Sequence, residues 1–177
     1  MLAAIATLDT ILQAHATALG RDFTAYRNHA YRVANFCLAL APDRAMQIEK
    51  VAIAAAFHDL GIWTAGTFDY LPPSVSLAKA FVLHTGRSDW AQELEAVIVE
   101  HHKLTPYRNN PHWLVEPFRR ADLVDVSRGV VRFGLQRGFI ADVYSKWPGA
   151  GFHKRLFAFA LKRARTHPAS PLPMVKL

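Results

Sequence analysis

Apolar residues recur along this chain at three- and four-residue intervals, and strand-like alternation persists nowhere. Phe23, Tyr26, Val33, Phe36 and Leu40 make one such stripe. The pattern predicts an all-α fold, a helical bundle. A first helix covers about residues 2 to 19 and stops near Gly20. The second runs from an Asp22 cap to about Ala41, before Pro42. The third starts at an Asp43 cap and ends near Asp59, with Gly61 suited to the left-handed exit residue. Residues 61 to 72 read as a loop, and Pro73 or Ser74 opens a fourth helix that stops at Gly86. Ser88 caps a fifth, which runs to about Lys103, and Pro106 to Pro111 is loop. Pro117 suits the first position of a sixth helix, which continues to about Arg128 before Gly129. A short helix near 130 to 146 and a basic amphipathic helix, GFHKRLFAFALKRAR, follow. The tail from Pro168 reads as extended.

The 177 residues, 51% of them hydrophobic, suffice for one domain with a sizeable core. No repeat or linker divides them, so residues 1 to 167 form a single domain with its motifs between 22 and 130, and 168 to 177 a tail. The single cysteine, Cys37, lies in an apolar helical stretch and reads as a small core residue. One cysteine permits no internal disulfide and suits a reducing compartment. The N-terminal stretch lacks a basic leader and is interrupted by Asp9, Gln13 and His15, which makes it a poor signal peptide. No uncharged apolar run is long enough to span a bilayer. These features predict a cytoplasmic protein without membrane association.

Net charge is +7, but its distribution argues against a nucleic-acid partner. Six of the 21 basic side chains and none of the 14 acidic ones lie in residues 151 to 177, so the body is nearly neutral. The terminal helix packs with Leu156, Phe157, Phe159, Ala160 and Leu161 and turns a basic face outward. A solvated face is the plain reading of that charge, and an anionic partner the other. The N-terminal helix, Trp113 and Trp147 would serve a homodimer interface or core burial equally well.

The chemistry sits at helix ends. His29 lies mid-helix; His58-Asp59 close the third helix, His84 the fourth and His101-His102 the fifth; Asp122 lies in the sixth, with Asp125 one turn on. A His-Asp dipeptide alone is a weak motif; the ordered set, drawn from different helices, is the signal. Imidazole and carboxylate without thiolate suit one or two ions of Fe, Mn, Co, Ni or Zn. Adjacent helical residues point about 100° apart, so His58 and Asp59 can grip one ion while Asp59 bridges to a second.

This H…HD…H…HH…D order, with the local text AFHDLG, LHTG, VIVEHH and RRADLVD, resembles the HD-domain superfamily of metal-dependent phosphohydrolases over about residues 22 to 130. His84 and His101-His102 resemble its binuclear branch. The resemblance implies an all-α fold with metal in the helical core. It implies a first ion on His29, His58, Asp59 and Asp122, and a second on Asp59, His84 and His101, with His102 a further candidate. Leu60 to Trp63 follow Asp59, without the Lys that many members carry three residues on.

The expected reaction is hydrolysis of a small phosphate ester, a nucleotide among the candidates, by water activated at the metal. Asp59, Lys103 and Asp125 are the candidate catalytic groups. Asp125 would hydrogen-bond a ligand histidine or a substrate hydroxyl, a salt bridge to Arg128 being the plainer alternative. Lys103, Arg108 and Arg128 are candidate phosphate-binding cations, and Asp69 and Tyr70 candidate substrate contacts near the mouth. The same ligands also suit a di-iron oxygenase, which some relatives resemble, and a degenerate scaffold that binds metal or ligand without catalysis is the third reading.

Overall fold

The computed structural model describes residues 1–41 and 44–176, the side chains of residues 44–46 excepted. Among these residues the chain is helical throughout, and the only strand-like pairing is one isolated bridge between Lys103 and Lys176. The helices are α1 (Ala6–Ala14), α2 (Ala16–Leu19), α3 (Phe23–Leu40), α4 (Arg44–Phe57), α5 (Gly61–Thr64), α6 (Leu71–His84), α7 (Ala91–Glu100), α8 (Val115–Val126), α9 (Arg137–Lys146) and α10 (Phe152–Thr166).

Helix α3 is the axis of the bundle. From Ala25 to Leu38 only Arg27 escapes full burial, and α3 packs along α8 and against α4. Helix α4 meets α1, α3, α6 and α7. Its run of Ala52, Ala54, Ala55 and Ala56, all buried, removes side-chain bulk and lets those neighbours approach. Leu8, Ile11 and Leu12 of α1 are buried, so the N-terminal apolar residues serve the core. Trp147 is buried too and stacks on Tyr31 with ring centroids 3.9 Å apart, while Trp113 packs half-buried at the edge of the core. Cys37 is fully buried, and burial pushes its thiol pKa up.

Several helix ends differ from the pattern's expectation. The expected first helix is broken at His15 into α1 and α2. Asp22 does not cap α3. Its backbone is already near-helical, and its carboxylate accepts hydrogen bonds from Trp63 Nε1 at 3.0 Å and Arg155 Nε at 2.8 Å instead. Ser88 lies in a 3₁₀ turn before α7 and makes no capping bond, and the Asp43 cap falls outside the described residues. Pro117 lies in the first turn of α8, where a missing N–H leaves no intrahelical bond unmade.

Gly61 is not a left-handed exit residue, because α5 begins there within the expected loop. Glycine is needed for space: a Cβ would collide with the Tyr70 carbonyl oxygen and lie 2.8 Å from Ser74 Oγ. Helix α8 ends at Val126, and its left-handed exit residue is Arg128, with φ of +53°, ahead of Gly129 at +76°.

The C-terminal segment folds back over the bundle. In α10, Phe152 is buried and Leu156 and Phe159 pack on the core, whereas Phe157 and Leu161 are exposed rather than packed. The tail is not simply extended. It makes turns, buries Met174 and returns to the end of α7, where Leu104 N donates to Lys176 O at 2.8 Å.

Candidate metal centre

Four helices deliver the cluster. Residues three apart share a helix face, so His29 with Arg32 on α3 and Asp122 with Asp125 on α8 form two facing pairs when α3 packs on α8. His58-Asp59 follow the last turn of α4, and His101-His102 follow α7. His29, His58, Asp59, His101 and Asp122 are all buried.

The outer hydrogen bonds set the histidine tautomers. His29 Nδ1 donates to Asp125 Oδ2 at 2.6 Å, His58 Nδ1 to the Ala55 carbonyl at 3.0 Å, and His101 Nδ1 to the Ile98 carbonyl at 2.7 Å. Carboxylates and carbonyls only accept, so each Nδ1 carries a proton, and each ring when neutral turns an Nε2 lone pair inward. The Nε2 atoms of His29 and His58 are only 2.9 Å apart, where two lone pairs repel unless a cation lies against both. Asp59 Oδ2 is 3.6 Å from both of these nitrogens, Asp122 Oδ1 is 3.7 and 3.9 Å from them, and His101 Nε2 is 3.4 Å from Asp59 Oδ1.

Buried Asp59 Oδ1, Asp122 Oδ1 and His101 Nε2 have no hydrogen-bond partner. Orphaned polar atoms of this kind are costly in a protein interior; Asp59 Oδ1 and His101 Nε2 face each other, and Asp122 Oδ1 faces the His29 and His58 nitrogens. The donor set fits a divalent cation. One group of potential ligands is His29, His58 and Asp59, and a second is Asp59, His101 and His102, so Asp59 is common to both.

Burial pushes the His58 pKa down to about 3, which keeps that ring a neutral donor. Burial would raise Asp59, but His58, His101 and His29 outweigh it and hold the carboxyl well below its ordinary range. Asp122 shifts up, because burial exceeds the pull of His101 and His29. Burial and neighbouring His101 drive His102 down.

Asp125 stands behind the cluster. Besides His29, its carboxylate accepts Arg32 Nε at 2.5 Å, Arg32 Nη2 at 2.9 Å and Tyr144 Oη at 2.8 Å. Its pKa lies far below the usual carboxylate range: burial opposes this, and the bonds from His29 and Arg32 prevail. The expected salt-bridge alternative, Arg128, is exposed, and the partner is Arg32. Arg32, Tyr144 and Phe152, which stacks on His29 at 3.9 Å, were invisible as site residues in the pattern. Only Arg32 carried a signal, its i+3 spacing from His29.

Of the other expected site residues, Tyr70 is brought in and buried, its hydroxyl 2.7 Å from His102 Nε2. His84 is not brought in. It ends α6 exposed, and neither ligand group includes it; His102 stands in the second group instead. Asp69 and Arg108 are exposed on loops, and Arg128 lines cavities with Tyr144 and Gly149, apart from His102. Lys103 is half-buried directly after the His pair, with its carbonyl accepting Arg119 Nη1 at 3.0 Å.

Fold and site together define an all-α protein with a buried imidazole–carboxylate centre able to hold a metal ion. The chain belongs to the HD-domain family, whose model matches residues 26–126 and so spans every member of the cluster. This is the metal-dependent phosphohydrolase superfamily, whose members are mostly hydrolases and bind divalent metals. No curated protein and no solved structure gives a significant match to the chain. Among the described residues no helix is long and apolar enough to cross a membrane.

Proposed function

We propose that the protein is a metal-dependent phosphohydrolase acting on a small phosphate ester. The observation that carries this reading is the convergence of three buried imidazole nitrogens, those of His29, His58 and His101, on the carboxylates of Asp59 and Asp122. A bound divalent ion would supply Lewis-acid activation of the phosphoryl group and of water. His29, His58, Asp59 and Asp122 would hold a first ion, and Asp59, His101 and His102 a second. In the reaction water adds to phosphorus, the P–O bond to the alcohol breaks, and the alcohol leaves with one of the water's protons.

The chain's own groups prepare that step. Asp125 orients His29 through Nδ1, and Arg32 balances the Asp125 charge. Phe152, stacked on His29, excludes water from one side. The Tyr70 hydroxyl and His102 Nε2 share a proton at the mouth, where it is available to the leaving oxygen. Lys103, next to His102, is the phosphate-binding cation in this reading.

The test is metal analysis of the purified protein, then anaerobic phosphate release from a panel of phosphate esters with added Mn²⁺, Co²⁺ or Mg²⁺. Retained metal with oxygen-independent release is the expected result. Turnover that requires iron and oxygen would replace this reading with an oxygenase, and failure to take up metal would leave a non-catalytic scaffold.

A further inference from the structure

The cluster meets solvent at one member. The His102 side chain is 24% exposed, whereas those of the other five are at most 3% exposed. His102 opens into a cavity of about 390 Å³, whose remaining walls include Phe68, Tyr70, Val126, Leu156, Leu172 and Met174. Among the described residues, no Lys, Arg, Asp or Glu lines it. The polar groups at its wall are the Tyr70 hydroxyl and the rings of His102 and His153.

Most of the outer wall comes from α10 and the tail, which lie outside the matched residues 26–126. That wall is anchored. Lys176 Nζ donates to Glu100 Oε1 at 3.0 Å, and Phe152 and His153 sit against His29 and the Asp125 carbonyl.

A polyphosphate or a polyol placed here would lose water and find only Tyr70, His102 and His153 to replace it, with no charged side chain among the lining residues, which is unfavourable. An alkyl or aryl group would gain the full transfer free energy of each buried methylene. We propose that this cavity takes the apolar alcohol portion of a phosphate monoester whose phosphate lies at the metal cluster. The proposal rests on the phosphohydrolase reading and names its substrate class: alkyl or aryl phosphates in preference to nucleotides and sugar phosphates.

The experiment titrates the Mn²⁺-loaded protein with n-alkylphosphonates from methyl to octyl by calorimetry, and measures phosphate release from the matching alkyl phosphates. Affinity should rise about fourfold per added methylene until the cavity is full. Leu172→Asp, at an exposed position of the wall, and Ala160→Trp, which fills the cavity, should each flatten the series while Mn²⁺ content stays unchanged. Circular dichroism identifies a misfolded variant, and Leu172→Asp then carries the test. A flat series in the parent protein, or a slope that survives in the folded variants, overturns the proposal. Hydrolysis with a flat series removes the cavity assignment and keeps the hydrolase. A steep series without hydrolysis of any phosphate ester keeps the cavity's preference for apolar chains and removes the hydrolase.

Discussion

Replacing Asp125 by Asn separates the stability of the bundle from the quality of its metal site. Asp125 is fully buried and, among the described residues, is the only carboxylate in contact with the equally buried Arg32 guanidinium. Losing its charge leaves Arg32 without a counter-charge, in contact with the Trp147 and Pro148 carbonyls at 3.0 and 3.3 Å and the face of the Tyr144 ring. Breaking a buried ion pair from one side costs about 3–5 kcal/mol. With a urea slope of about 2 kcal/mol per molar, the metal-free midpoint should fall by about 1.5–2.5 M. Asn also offers His29 Nδ1 a neutral acceptor in place of a carboxylate, and losing such an outer partner weakens metal binding by about 10–100-fold. Arg32→Met in the same chain removes the stranded charge, so the double variant should recover part of the lost stability. The Trp147 carbonyl still loses its Arg32 donor, so recovery is incomplete. Metal affinity, read by competition with a chelator, should stay low, because His29 is still poorly anchored. The argument is refuted if Asp125→Asn alone shifts the urea midpoint negligibly, or if Arg32→Met restores metal affinity along with stability.

Asp59→Ala should abolish metal retention and phosphate release together, since Asp59 belongs to both ligand groups; stoichiometric metal in the variant contradicts the shared role. His84→Ala should leave metal content unchanged and alter stability by less than about 0.5 kcal/mol, as expected of an exposed position; loss of metal would return His84 to the ligand set. Glu116 bears on acid stability. Burial would raise its carboxyl, but bonds from Arg119, the Tyr107 N–H and Arg120 bring it down to about 2 from an ordinary 4.5. Folding therefore favours the ionised form, and this contribution is complete above pH 4.5 and disappears as pH falls toward about 2. Glu116→Gln should be less stable than the parent near neutrality, with a gap that closes through that window in urea titrations; a gap independent of pH refutes the assignment.

Much of this architecture was legible in one dimension. Helical spacing is local: the stripe on α3 and the run before His58 each depend on side chains within a turn or two of each other. The ordered His and Asp residues at helix ends were legible for the same reason, as was Asp125 behind a ligand histidine. Helix starts were less so. Asp22 has the side chain of a cap, but Trp63 and Arg155, distant in sequence, claim its carboxylate.

Periodicity says which face a side chain occupies but not which neighbour that face meets. His84 and His102 look alike along the chain, each at the end of a helix, yet one faces solvent and the other meets Asp122 and Tyr70. Helix crossings made that choice, as they made Arg32 rather than Arg128 the counter-charge of Asp125. The apolar mouth likewise exists only because α10 folds back across more than a hundred residues to α3, and the tail across 76 to the end of α7. Local chemistry along the chain supplied the candidate ligands; packing of the helices, driven by apolar burial, selected those that meet and left His84 outside.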